Sequence, residues 1–141
     1  MNLDLIVERL KSEVPVLHNR VYGSADLDAT ESGAMPKVPS VYIIPVQETA
    51  KSNLTHPLGH SSMIIAEFAL VIVVRNVANN YGAFSHRELE DVRKSIRCVL
   101  YGWQANEMAK PVDFLRGRIV DYKNNTLRWM DIYSARFYER H

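Results

Sequence analysis

The sequence predicts an α+β fold: a mainly antiparallel β-sheet with two α-helices packed on one face, in the order α-β-β-β-α-β-β. Three observations predict it. The run Met63-Ile-Ile-Ala-Glu-Phe-Ala-Leu-Val-Ile-Val-Val-Arg75 is the longest apolar stretch, and Glu67 is its only interior charge. It is too short for a membrane span, which needs ~20 apolar residues. Its Val and Ile content favours a strand buried on both faces over a core helix. Two other stretches, 3–14 and 85–102, repeat apolar residues at helical spacing. Finally, residues 114–122 and 127–138 read as strands on either side of Lys123-Asn-Asn-Thr126, and Asn-Asn tolerates the positive φ of a tight hairpin.

In chain order, Leu3, Ile6, Val7, Leu10 and Val14 form one apolar stripe on a first helix. Asn2 or Asp4 can cap its start and Pro15 marks its end. Leu5 falls off the stripe, a hint of a second buried surface. Residues 20–23 read as a short strand and 24–36 as a long polar loop. Strand character returns over 38–47, with Pro39 and Pro45 pointing to an edge position or a break. A second polar loop spans 48–62. The long strand at 63–75 would reach about 40 Å at ~3.3 Å per residue, which suggests that it overruns its own sheet. Ser85-His-Arg-Glu88 has the form of a capping box for the second helix. Leu89, Val92, Ile96, Val99 and Leu100 supply its buried stripe and Gly102 its stop. Glu90 and Lys94 are placed to pair on its outer face, and Cys98 projects away from the stripe.

Size and charge narrow the function. A chain of 141 residues, 47% hydrophobic and 23% charged, reads as one soluble domain spanning 1–141. It needs no disulfide or metal to fold. The net charge of +1 argues against a general polyanion binder. Cys98 is the only cysteine, so an internal disulfide is excluded and a reducing compartment is expected. The N-terminus lacks the pattern of a signal peptide, which makes cytoplasmic synthesis the expectation.

Reactive constellations are weak. His56 and His60 are four apart, but Pro57 and Gly59 argue against the helix that would bring them together on a metal. Asp26, Asp28 and Glu31 lack the glycine and terminal glutamate of a calcium loop. Cys98 lies late in a helix, where no N-terminal dipole lowers a thiol pKa. Neither a catalytic residue, a cofactor site nor a metal site is expected. The C-terminal hairpin is different: Arg116, Arg118, Lys123, Arg128, Arg136 and Arg140 interleave with Tyr122, Trp129, Tyr133 and Tyr138. Such a surface could make a small nucleic-acid-binding module, with bases stacked on the aromatics. Asp113, Asp121, Asp131 and Glu139 neutralise most of its charge, so a protein–protein interface is the preferred reading. The residues expected there are Arg116, Arg118, Arg128, Trp129, Arg136, Tyr138 and Cys98.

Taken in order, the features resemble the tail terminator (tail completion) proteins of tailed bacteriophages, including prophage-encoded ones. The resemblance covers nearly the whole chain. It rests on the N-terminal helix, the Pro-interrupted Val38-Pro-Ser-Val-Tyr-Ile-Ile-Pro45, and the long β run ending in Val-Arg-Asn76. The helix ending in Leu-Tyr-Gly-Trp103 and the hairpin of Gly117-Arg-Ile-Val-Asp-Tyr122 with Leu127-Arg-Trp-Met-Asp-Ile-Tyr133 complete it. The resemblance implies a small α+β domain that assembles into a hexameric ring, although such proteins can stay monomeric until concentrated. The ring would cap the finished tail tube, end polymerisation and offer its other side to the head–tail connector. The implied partners are copies of itself, the tail-tube protein and the connector, with no membrane and no specific nucleic acid. The implied location is the bacterial cytoplasm during assembly and then the virion tail.

Overall fold

The computed structural model describes residues 3–23, 37–52, 61–75, 83–106, 108–123 and 126–140. The elements are α1 (Asp4–Glu13), a 3-10 turn (Pro15–Leu17), β1 (Val21–Gly23), β2 (Ser40–Ser52), β3 (Ser61–Arg75), α2 (Ala83–Leu100), β4 (Met108–Lys123) and β5 (Thr126–Arg140). The five strands form one sheet in the order β1-β2-β3-β5-β4. Only the β1–β2 pair is parallel; the other three are antiparallel. The expected α+β class and element order are what the molecule has.

The 63–75 run lies at the centre because alternate residues must be buried on both faces. Phe68, Leu70, Ile72 and Val74 are 0% exposed beneath the helices, while Ala69, Val71 and Val73 are at most 4% exposed on the opposite face. On the helical face they meet Ile6 and Leu10 of α1 and Leu89, Val92, Ile96 and Leu100 of α2. Each such side chain removed from water contributes about 1.5–3 kcal/mol, before the entropy of ordering the chain is subtracted. A smaller cluster of Tyr42, Val71 and Val73, with Tyr22, Ile44 and Met130 against it, occupies the other face.

Several element ends differ from expectation, each for a physical reason. The long strand does not overrun its sheet, since β5 pairs with it from Ser61↔Arg140 to Arg75↔Thr126 and β2 from Ser52↔Ser62 to Ser40↔Val73. At the far end of the sheet, β2 residues 45–50 are exposed. Residues 48–52 were expected in a loop, yet they are strand because β3 offers them a partner. Pro45 sits past the three-residue β1, where its missing N–H breaks no ladder, and the register slips between Pro45 and Gln47. α1 has no side-chain cap: Leu3 holds the N-cap position, and Asp4 lies inside the first turn. α2 starts at Ala83, two residues before Ser85, whose side chain lies outside the described residues. Its stop is as expected, with Gly102 at φ +82°, a conformation that strains other residues. Glu90 pairs with Arg93 at 3.0 Å rather than with Lys94. β4 begins at Met108, earlier than expected, and Lys123↔Thr126 closes its hairpin with β5.

Candidate interaction surface

β4 is the outermost strand on one side of the sheet. Its first part is covered: Gly102 N–H donates to the Val112 carbonyl (2.9 Å) and Val112 N–H to the Trp103 carbonyl (2.8 Å). Beyond that, register shifts between Phe114 and Arg116 and between Ile119 and Asp121 leave Leu115 and Val120 as the extra residues of two bulges. Bulges are the usual means by which an edge strand resists pairing with another strand. Here the bulged residues are aliphatic, 41% exposed each, and Ile119 (42%) and Tyr122 (62%) lie beside them. Arg116 and Arg118, opposite Ile132 and Met130, are exposed and have no ion pair among the described residues.

The hairpin arginines and aromatics expected at an interface thus divide into two groups. Arg116, Arg118, Tyr138 (65% exposed) and Cys98 stand in solvent, and Arg136 is half-buried. Arg128 and Trp129 are engaged inside the chain. The Arg128 guanidinium is bidentate on Asp121, Nε to Oδ1 at 2.7 Å and Nη2 to Oδ2. Trp129 Nε1–H donates to Asp131 Oδ1 at 2.8 Å, and Arg93 stacks on its ring with the guanidinium carbon 4.7 Å from the centroid. Arg93 thus covers one face of the half-buried Trp129 ring.

Sequence reasoning missed the centre of that second group. Asp131 is 1% exposed on the helical face of β5 and receives Arg93 Nε on Oδ2 (2.9 Å) and Nη2 on Oδ1 (3.0 Å). Burial lowers the affinity of Arg93 for its proton, but the hydrogen bond and charge of Asp131, helped by Glu90, outweigh this and raise its pKa. Opposite Asp131 lies Gly117. A Cβ there would overlap Asp131 Oδ1 and stand 2.9 Å from Trp129 Nε1. The available signal was a carboxylate set among Leu127, Trp129, Tyr133 and Ala135, which on a buried face demands a cationic partner. Tyr133 stacks on Phe68 (6.0 Å) and meets Phe114 edge-on (5.3 Å), and its buried hydroxyl makes no hydrogen bond of ordinary geometry among the described residues. Burial pushes this phenol up to about 12; Asp131 adds to the rise, and Arg97 and Arg93 pull against it.

A cleft of about 310 Å³ opens at the C-terminal end of α2, lined by Tyr101, Gly102, Lys110, Asp113, Ser134 and Arg136. Lys110 and Arg136 are register partners, a like-charge pair across the ladder. No group of three or more His, Cys, Asp or Glu among the described residues could hold a metal ion. His56, His60, Asp26, Asp28 and Glu31 lie outside the described residues. No helix among the described residues is long and apolar enough to cross a membrane.

A family model described as "Phage tail terminator protein" matches residues 1–141. The chain belongs to the phage tail terminator family. Membership assigns this terminator a structural role in completing a phage tail. No curated protein matches it by sequence. Among solved structures it is similar to a chain of the "Virion of native gene transfer agent (GTA) particle". That match has a TM-score of 0.58 at 13% identity and covers 95% of the terminator and 92% of the other chain. At that identity the likeness speaks for the fold alone.

Proposed function

We propose that this terminator acts as one domain whose copies close into a ring, hexameric as the family resemblance implies. The ring caps the tail tube, ends polymerisation and presents its other side to the head–tail connector. It works by shaped surface, without covalent turnover. The observation that carries this reading is the family match over 1–141. The exposed surface agrees with it. A closed ring needs two different patches on each copy, and the exposed aliphatics of the described residues lie on opposite sides of the sheet, at Leu115, Ile119 and Val120 and at Val16 and Val46.

On this reading Arg116, Arg118, Arg136, Tyr138 and Cys98 are available to contact a neighbouring copy, the tube or the connector. Arg128 and Trp129 stiffen the hairpin that carries them. Electron microscopy of the concentrated protein tests the proposal. Closed rings of uniform diameter are expected; open filaments, or particles of monomer size at every concentration, would contradict it.

A further inference from the structure

Eight large hydrophobic side chains among the described residues are at least 41% exposed, and four of them, Leu115, Ile119, Val120 and Tyr122, lie within eight consecutive residues of β4. Scattered exposed apolar residues need no explanation, but a run along one edge marks a surface that is covered in use. Ordinary strand addition does not suit this edge. The ladder to β5 is interrupted at Leu115 and again at Val120, so only a short regular stretch separates the two bulges. What the bulges present instead is side chains: two aliphatics with an aromatic ring, flanked by the exposed guanidinium groups of Arg116 and Arg118. Aromatic and arginine side chains are the types enriched at protein–protein interfaces.

The opposite side of the sheet offers a counterpart. β1 covers β2 only from Val41 to Ile43, and past it Val46 is 44% exposed. Val16, in the 3-10 turn that leads into β1, is also 44% exposed. The carboxylates nearest to these two in the chain are Glu13, which lies 4.0 Å from Arg9, and Glu48; both are exposed and opposite in sign to Arg116 and Arg118.

We propose that the β4 edge (Leu115, Ile119, Val120 and Tyr122, with Arg116 and Arg118) seats on the β1–β2 side of a second copy of this chain, around Val16 and Val46. The contact is head-to-tail and made by side chains. This assignment rests on the ring reading and specifies which two patches meet.

Sedimentation velocity of the full chain from micromolar to millimolar concentration tests it, with circular dichroism confirming that each variant is folded. The variants are L115E/V120E on one patch and V46E on the other. Each variant alone is expected to lose self-association by roughly tenfold or more in dissociation constant, the scale of interface anchor residues. An equimolar mixture of the two is expected to form a one-to-one dimer that grows no further, since one variant keeps an intact β4 edge and the other an intact β1–β2 side. Assembly of either variant at wild-type concentrations overturns the assignment, as does a mixture that remains monomeric; both leave the ring reading standing. Wild-type protein that stays monomeric throughout overturns both.

Discussion

Replacing Gly117 with alanine should strike the ionic cluster that fastens α2 to β5, although a single methyl group on an exposed strand is usually harmless. Gly117 does not lie in the left-handed region, so the glycine is required by space and not by φ. An alanine Cβ overlaps Asp131 Oδ1, and restoring ordinary contact of ~3.5 Å means displacing that oxygen by roughly 1 Å. The same oxygen accepts from Trp129 Nε1 at 2.8 Å and Arg93 Nη2 at 3.0 Å, so the shift stretches both bonds beyond useful length. Losing hydrogen bonds to a charged group costs about 1.5–3 kcal/mol each, and disrupting a buried ion pair ~3–5 kcal/mol in all. The reduced freedom of the unfolded alanine chain offsets about 0.4–1 kcal/mol. The expected net loss is about 2–4 kcal/mol, read from urea unfolding at neutral pH. Introducing G117A into a D131A background should cost clearly less, because the nearest obstructing atom is gone and only the contacts with Trp129 Nε1 (2.9 Å) and Arg93 Nη2 (3.1 Å) remain. A loss below about 1 kcal/mol in the wild-type background, or equal losses in both, would refute the claim that Asp131 excludes a side chain at this position.

Three further outcomes rest on the same packing. Tyr133 has a native pKa of about 12 against an ordinary 10.0, so the folded state holds its proton more tightly than the unfolded state. Its contribution is intact below pH 10 and is lost as pH rises from 10 to 12, by about 1.4 kcal/mol per unit. Y133F should therefore unfold less readily than wild type in alkaline urea titrations and match or exceed it at pH 7; an identical alkaline profile for the two proteins would contradict this. I96A, at a fully buried site on α2, should lose ~2–5 kcal/mol in the same assay, whereas C98S on the exposed side should change stability by less than about 0.5 kcal/mol. D121A leaves the Arg128 guanidinium, 9% exposed, without its bidentate carboxylate. Because Asp121 is itself 36% exposed, the expected loss is about 1–3 kcal/mol; none at all would mean that the pair is fully screened by solvent.

The parts of this fold legible in the sequence are those where one local pattern settles the structure. A continuous Val/Ile run can only be buried on both faces, which located β3. The 3- and 4-residue spacing of Ile6–Leu10 and Leu89–Val92–Ile96 located the helices and their inner sides. Gly102 gave the end of α2 because few other residues accept its φ. The illegible parts depend on partners distant in the chain. Residues 48–52 carry no apolar alternation, and they are strand only because β3 pairs with them. The early part of β4 contains Pro111 and is held by β5 on one side and by Gly102 and Trp103 on the other. Which hairpin arginines reach solvent was not legible either. Arg116 and Arg128 look equivalent in sequence, but the bulged register sets Asp121 opposite Arg128 and gives Arg116 only Ile132. The aliphatic edge at Leu115 and Val120 stayed hidden for the same reason, since a bulge is a property of two strands.

In the function proposed above, copies of this chain close on the end of a tail tube and stop its growth. Cryo-electron microscopy of tubes polymerised from the tail-tube protein of the same phage, with and without this protein, measures it most directly. One ring of this fold on a tube end, and a bounded length distribution whenever the protein is present, are expected. Tubes of unaltered length with bare ends, in the presence of excess folded protein, would contradict that function.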